Sequence, residues 1–527
     1  MLLFRFLRKK GEGMKARILS LMGDTDYPIF ATVMALMLCI LAAVSINPAG
    51  VSGALSFFQN VITVNFTWFI MLLVGVNFFF AMWIALSKHG KIILGKEGDK
   101  PEFSYISWVS MLFSAGVGIG FVCFGVAEPM WHLYTSTHTA NMGATGAAEG
   151  VPMAIQITVS NWGASCWALF AVGGMAIALP SYRKNLPMCV GTGLFGILGK
   201  KCTTSPIAKA ADTLGIIGAI CGNSAALGMG VMSISTAMLR IFGIEIGTFG
   251  QFSIMATIIV AFIISSVSGL QRGVRILSVG NLVIAAGLLI FVLFAGPTTY
   301  LLNMVTEVTG MYVSQFVNMN FFTDAGHLQQ GDWLRWWPVF YWLWWISYIP
   351  FVGGFIARIS KGRSLREFVV GVTLATTVVS ILWFTIMGGA GAWAELVDNL
   401  PIWTTMQAQG SEPAVYMLLE SYPLGNIAAT LALISLLVFT VTTSDSASFF
   451  ISMQVSKGNR NPTAAARILW GLVLGMLGVA VMAVGGAEAM NALKSLAVAG
   501  SAPFCIIQVM LIISLYKMLK MIDRGEM

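Results

Sequence analysis

Residues 340–368 read FYWLWWISYIPFVGGFIARISKGRSLREF. No charged side chain occurs from Phe340 to Ala357, and a basic turn follows from Arg358 to Arg366. Pro350 removes a backbone donor and Gly353-Gly354 loosens the chain, so the run reads as an apolar helix interrupted partway along. An aromatic cluster beside such a break can enclose a cation without burying a countercharge, because the ring face is the electron-rich surface. Methylated ammonium compounds are the solutes that need a site of this kind.

The surrounding composition places this run in a membrane. Only 10% of residues are charged and 57% are hydrophobic, against about 25% charged in soluble domains, which excludes an ordinary globular enzyme. A spanning helix needs about 20 residues with few or no charges. Residues 28–87 contain no Asp, Glu, Lys or Arg and are expected to hold two spans separated near Pro48-Ala49-Gly50. Further uncharged runs occupy 103–127, 150–182, 213–239, 246–271, 276–306, 336–357, 368–394, 421–444, 468–487 and 495–516, so twelve spans are expected. The predicted class is an all-α multi-pass membrane protein.

Loop charges orient the spans, since Lys and Arg are retained on the cytoplasmic side. With the N-terminus inside, all of the 30 Lys and Arg residues except Arg240, Arg335 and Lys494 fall on cytoplasmic segments. Opposite loops are acidic or neutral, with Glu149, Glu307, Asp398 and Glu412 among them. Both termini are therefore expected in the cytoplasm, with the chain in the cytoplasmic (inner) membrane. The net charge of +8 reflects this asymmetry, and no basic domain supports a nucleic-acid partner. The first apolar run continues as a span, so no cleavable signal is expected. The seven cysteines are scattered and read as packing residues, and the four histidines show no spacing that suggests a transition metal.

Along the chain, residues 1–27 read as a cytoplasmic tail, 28–517 as one transporter-like membrane domain and 518–527 as a second short tail. Tyr300 to Phe316 places apolar residues as an amphipathic helix along the interface would, and Trp333, Trp336 and Trp337 mark re-entry into the membrane. Span three carries Ser114-Ala115-Gly116-Val117-Gly118-Ile119-Gly120 and span eight carries Pro350 with Gly353-Gly354. Interrupted spans at matching positions of two halves, about 103–298 and 333–516, point to an inverted repeat with a site near the midplane. Close helix packing is the other use of such glycines.

The span-eight run, the GVGIG of span three, Asn161-Trp162-Gly163 with Trp167, GLQRGVRILS from Gly269 to Ser278, and TTSDSASFF from Thr442 to Phe450 together resemble the betaine/carnitine/choline transporter family. The likeness runs in order through essentially all twelve spans. It implies a LeuT-like fold of two inverted five-helix repeats behind two peripheral N-terminal helices, and a homotrimer in the lipid bilayer. It also implies an aromatic box for a trimethylammonium group, with Trp162, Trp344, Trp345 and Tyr348 on matching positions and Trp131 completing it from span three. Gly116, Gly118 and Gly120 would lie against the substrate. Each aromatic face contributes about 0.5 to 2 kcal/mol to holding a cation.

Tyr348 replaces the third Trp of betaine-specific members and matches the carnitine-exchanging branch, while Phe170 replaces a Tyr. The Arg and Met that stand in for sodium in that branch align with Asn281 and Val352, so neither is present. The resemblance therefore implies coupling sodium ions, held by carbonyls of Ser114 and Val117, by Phe439, and by hydroxyls of Thr442 and Thr443. Those hydroxyls can instead bond back to their own helix. Asn223 and Ser224 would assist another sodium site. Gly120 stands where proton-coupled choline transporters have Asp.

Of the intramembrane ionisable residues, Glu128 and Asp445 either serve the pathway or brace a helix, and Arg358 either forms a gate ion pair or follows the positive-inside pattern. The short segment beyond residue 516 favours nutrient uptake over osmotic regulation. The expected function is sodium-coupled import of a quaternary ammonium solute by alternating access, with glycine betaine leading and carnitine or a sulfonium analogue behind it. A sodium-independent exchanger is the alternative, and a membrane-embedded enzyme acting on a choline-like headgroup is the alternative from another class. The enzyme would need a nucleophile and base, or a metal, and no such pairing is visible.

Overall fold

The computed structural model describes residues 23–527 apart from 97, 117, 269–272, 327–331 and 483–485, with backbone alone at 113–116, 266–268, 273–275, 332 and 486–490. The principal helices are α1 (Tyr27–Ile46), α2 (Pro48–Asn65), α3 (Thr67–Leu86), α4 (Tyr105–Gly116), α5 (Gly118–Phe124) and α6 (Ala127–Thr135). There follow α7 (Val151–Trp162), α8 (Ala164–Arg183), α9 (Pro206–Phe242), α10 (Thr248–Ser268), α11 (Gly273–Ala295) and α12 (Thr298–Phe321). The second half contributes α13 (Phe340–Tyr348), α14 (Thr376–Leu396), α15 (Gly425–Val455), α16 (Ala464–Met482), α17 (Gly486–Ser501) and α18 (Phe504–Asp523).

Among the described residues no strand forms; one isolated bridge joins Ile93 and Ser364. This is what a bilayer demands, since a helix satisfies its own backbone groups where water is absent. Among the described residues eleven segments are long and apolar enough to cross. The remaining expected crossing, in span three, is interrupted at Gly125-Val126, before α6. The protein is an all-α membrane protein.

Three expectations on the spans need correcting. The stretch at Pro48-Ala49-Gly50 is not a loop between two spans: it opens the 18-residue helix α2. Asn47 caps that helix by accepting the Gly50 N–H at 2.9 Å, and Pro48 sits at the first helical position, where its missing N–H costs nothing. Gln59 and Thr63 on α2 are buried, and Ser495 of α17 donates to Gln59 at 2.5 Å. The run 495–516 is divided between α17 and α18 by a turn at Ala502-Pro503. Span four is also divided, at Gly163.

The 37-residue α9 runs through the centre, packed against α13, α15, α16 and α17. At the end of span eight beyond Gly354, Arg358 pairs with Glu102 at 2.9 Å, and Trp108 donates to Ser360 at 2.8 Å. The first spans of the two halves are therefore tied together there. A buried ion pair joins α15 and α16, with Arg467 2.9 Å from Asp445, which also accepts from Ser265 at 2.6 Å.

Candidate substrate site

Three helix interruptions meet in the middle of the molecule. In span eight, α13 runs into a π-helical turn, Ile349–Gly353, because Pro350 cannot donate to the preceding turn. In span three the helix is interrupted at Gly125-Val126, between α5 and α6. In span four α7 stops at Trp162 because Gly163 leaves helical geometry (φ −96°, ψ −147°), which orphans the last carbonyls of α7. Side chains capture them. Trp345 donates its indole N–H to the Asn161 carbonyl at 2.8 Å, and Ser380 of α14 donates to the Trp162 carbonyl at 3.0 Å. Across the break, the Ala164 N–H is taken by the Tyr312 hydroxyl of α12 at 3.0 Å; a side chain at Gly163 would strike that hydroxyl.

The aromatic residues brought together here form a small box. The Trp344 and Trp345 rings are stacked, 5.1 Å apart and 8° from parallel. Trp162 meets Trp345 edge-on at 4.9 Å. Tyr348 closes the arrangement edge-on to Trp344 at 5.9 Å and to Trp345 at 6.0 Å. These four side chains, with Gly118, Ile119, Gly120, Ala226 and Thr443, line a small cavity. The rings converge so closely that free space within it is on the order of one water molecule.

Among the described residues no carboxylate, Lys, Arg or His lines this cavity. A cation entering it meets mainly ring faces, with Thr443 the other polar side chain on the wall. The Gly222 carbonyl accepts from the Trp344 indole N–H and from the Tyr348 hydroxyl, both at 3.4 Å.

Behind the box stands Glu128, fully buried. It accepts from the Trp162 indole at 2.7 Å, the Tyr341 hydroxyl at 2.5 Å, the Asn161 amide at 2.9 Å and His132 Nε2 at 3.2 Å. The Trp333 indole, which can only donate, points at His132 Nδ1 at 3.1 Å. His132 therefore accepts at Nδ1 and carries its proton on Nε2, toward Glu128. One carboxylate thus fixes the box wall Trp162 and the second-row ring Tyr341. The sequence marked Glu128 as an intramembrane acid but gave no sign that it holds Trp162.

The other candidate residues divide. Gly118 and Gly120 line the cavity; the surroundings of Gly116 lie outside the described residues. Trp131 is not brought to the box: its ring packs on Trp403 at 4.9 Å and Trp337 at 6.2 Å, and its indole donates to Ser411 at 2.9 Å. It belongs to a second aromatic tier, seven residues beyond Phe124 and on the next helix. Thr443 reaches the cavity wall, whereas Thr442 donates its hydroxyl back to Val438 at 2.9 Å and Phe439 at 3.1 Å. Phe439 lies against Gly118. Val117 lies outside the described residues, as does the side chain of Ser114. Ser224 donates to the Leu474 carbonyl at 2.9 Å. Its neighbour Asn223 is fully buried, and neither of its amide atoms has a hydrogen-bond partner among the described residues.

A bundle of apolar helices, interrupted around an uncharged aromatic cavity, defines a membrane carrier of small solutes. The family model for the betaine/carnitine/choline family transporters matches residues 28–524. The chain is 35% identical over 474 residues to the glycine betaine transporter OpuD of Bacillus subtilis, covering 90% of each protein. It is 34% identical over 468 residues to the ectoine/hydroxyectoine transporter of Virgibacillus pantothenticus, covering 88% of this chain and 90% of that one. A glycine betaine transporter of Acinetobacter baylyi is 34% identical over 500 residues, 95% of this chain and 74% of its own. The chain belongs to the betaine/carnitine/choline transporter family, and it is a transporter rather than an enzyme.

Proposed function

We propose that this protein imports a quaternary ammonium or related zwitterionic solute, glycine betaine first, across the inner membrane by sodium-driven alternating access, as a homotrimer. The observation that carries the substrate reading is the uncharged cavity walled by Trp162, Trp344, Trp345 and Tyr348. A fixed carboxylate there would favour any cation, Lys-like amines included. Ring faces favour a large, weakly hydrated cation that needs no hydrogen bonds, which describes a trimethylammonium group. The names of the glycine betaine and ectoine relatives agree with this class.

Sodium is treated as the second substrate. It needs several oxygen ligands; the Thr443 hydroxyl stands at the cavity wall, and the buried Asn223 amide oxygen has no hydrogen-bond partner among the described residues. An unpartnered buried polar group costs about 1 to 3 kcal/mol, and an ion bound by that oxygen relieves the oxygen's share. Closure is supported at both ends, by the Arg358–Glu102 pair inside and by the Trp131, Trp337 and Trp403 tier outside. Uptake of labelled glycine betaine into proteoliposomes tests the reading. An inward sodium gradient should drive accumulation, and potassium should not. Equal uptake without sodium overturns the coupling, and counterflow from carnitine-loaded vesicles in sodium-free buffer favours the exchanger instead.

A further inference from the structure

His132 is fully buried on α6, one helical turn beyond Glu128. Its two ring nitrogens face groups with opposite needs. Nε2 donates to Glu128 at 3.2 Å, and Nδ1 accepts from the indole of Trp333, at the start of span eight, at 3.1 Å. Beyond Glu128 the same bonding reaches two walls of the box: the carboxylate accepts from Trp162 at 2.7 Å and from the Asn161 amide at 2.9 Å, and the Asn161 carbonyl accepts from Trp345 at 2.8 Å. A column of rings runs beside this chain. Trp337 sits on His132 at 4.9 Å, and Tyr341 follows at 6.1 Å and stacks on Trp345 at 5.7 Å.

Of the hydrogen-bonded members His132 alone can change what it offers. Indoles only donate and a carboxylate only accepts, whereas an imidazole exchanges its acceptor for a second donor when it takes up a proton. Imidazoles ordinarily do so between about pH 5 and 8. Glu128 faces His132 from its own helix, Asn161 from α7 with its amide 3.4 Å from Nε2, and Trp333 and Trp337 from span eight. His138 lies across Trp333, with 5.7 Å between the rings, and the charges of His132 and Asp324 both reach it. Lys494 lies over the Trp337 ring at 5.0 Å. Among the described residues Glu128 is the one charged group bonded to His132.

We propose that His132 is a positioning residue for solute binding: neutral, it ties Trp333 to the Glu128 carboxylate and keeps the box walls in place, and protonated, it releases Trp333 and loosens them. This rests on the transport reading above. With a proton on Nδ1 two donors face each other, and the Trp333 indole has to turn away. Trp337, seated on the same imidazole, loses that seat, and the displacement passes along Tyr341 to Trp345. Solute binding needs the walls in place, so solute and proton oppose each other, and by linkage each lowers the affinity of the other by the same factor. The solute is held at higher pH and released as pH falls.

The test measures glycine betaine binding to full-length protein in proteoliposomes from about pH 8 to 5, for wild type, His132→Gln and His132→Phe. Glutamine keeps one donor and one acceptor but does not titrate, and phenylalanine keeps a ring but neither donates nor accepts. Over this range the carboxylate of betaine stays ionised. Wild-type affinity should fall about tenfold toward acid pH, His132→Gln should match wild type at the alkaline end and stay flat, and His132→Phe should bind weakly throughout. A flat wild-type profile, a profile that persists in His132→Gln, or tight binding by His132→Phe overturns the inference; should His132→Phe fail to assemble, the other two profiles decide. A second reading needs no solute. In protein carrying 5-fluorotryptophan, the fluorine resonance lost in Trp333→Phe should move with pH in wild type and stay still in His132→Gln, and a resonance that does not move in wild type overturns the inference. Wild type showing that movement yet binding no betaine at any pH overturns the transport reading instead.

Discussion

Glu128→Gln should loosen the box without touching the cavity lining. The carboxylate accepts four donors: Asn161 and His132 at Oε1, Trp162 and Tyr341 at Oε2. A glutamine amide presents one oxygen and one NH₂; with the NH₂ on the Oε2 side the Tyr341 hydroxyl can turn to accept from it, but the Trp162 indole, a donor only, is left facing another N–H. An unsatisfied buried donor costs about 1 to 3 kcal/mol. The structure sheds that cost by moving Trp162, and moving Trp162 dismantles one wall of the box. Since 1.4 kcal/mol is a factor of ten, betaine affinity should fall about tenfold. Thermal unfolding in detergent should begin several degrees lower. Tryptophan fluorescence titration and a melting curve on the same preparation give both readings. Unchanged affinity together with an unchanged melting curve would refute the assignment of Glu128 as the group that positions Trp162.

Other substitutions probe separate parts of the account. In Gly120→Ala the new Cβ would stand 1.9 Å from the Trp162 ring, where carbon atoms rest at about 3.5 to 4.0 Å; betaine binding by calorimetry should weaken by about tenfold or more, and tight binding would show that Trp162 has room to retreat. Trp345→Leu keeps an apolar side chain but deletes one ring face, so affinity should drop about 2- to 30-fold, whereas Trp345→Phe should lose less; equal values for the two would remove the cation–ring argument. Arg467→Met strips the ion pair from buried Asp445 and should cost about 3 to 5 kcal/mol, seen as a lower unfolding temperature. Adding Asp445→Asn to it should recover part of the loss, and strictly additive losses would argue against coupling between the two.

Much of the fold was legible because a bilayer writes it plainly. Uncharged runs of about 20 residues mark spans whatever their packing, and the run at 340–368 announced both its aromatic character and its interruption. What escaped notice depended on local capping or on distant partners. The stretch at Pro48 looked like a loop because Asn, Pro and Gly are turn residues, yet Asn47 and Pro48 are equally the start of a helix. The break at Gly163 shows in the sequence only as one glycine among many; it exists because Trp345, Ser380 and Tyr312, all distant in sequence, satisfy the opened backbone.

At the site, Trp162, Trp344, Trp345 and Tyr348 were placed by the resemblance to the family, and composition alone gave only the aromatic run of span eight. Trp131 was expected in the box on the same resemblance, but it lies beyond the interruption of span three at Gly125-Val126, and its partners are Trp403 and Ser411. The role of Glu128 was out of reach of the sequence, since it arises from contacts with Trp162 and with Tyr341 of span eight, both distant along the chain.

The central claim is that a methylated cation is held between Trp162, Trp344, Trp345 and Tyr348. A crystal structure with a trimethylarsonium analogue of glycine betaine tests it most directly, because anomalous scattering from arsenic marks the headgroup without reference to the rest of the solute. The account predicts one peak among these four rings, within about 6 Å of their centroids. A peak in the outer tier, between Trp131, Trp337 and Trp403 with the inner rings still closed on one another, would contradict it.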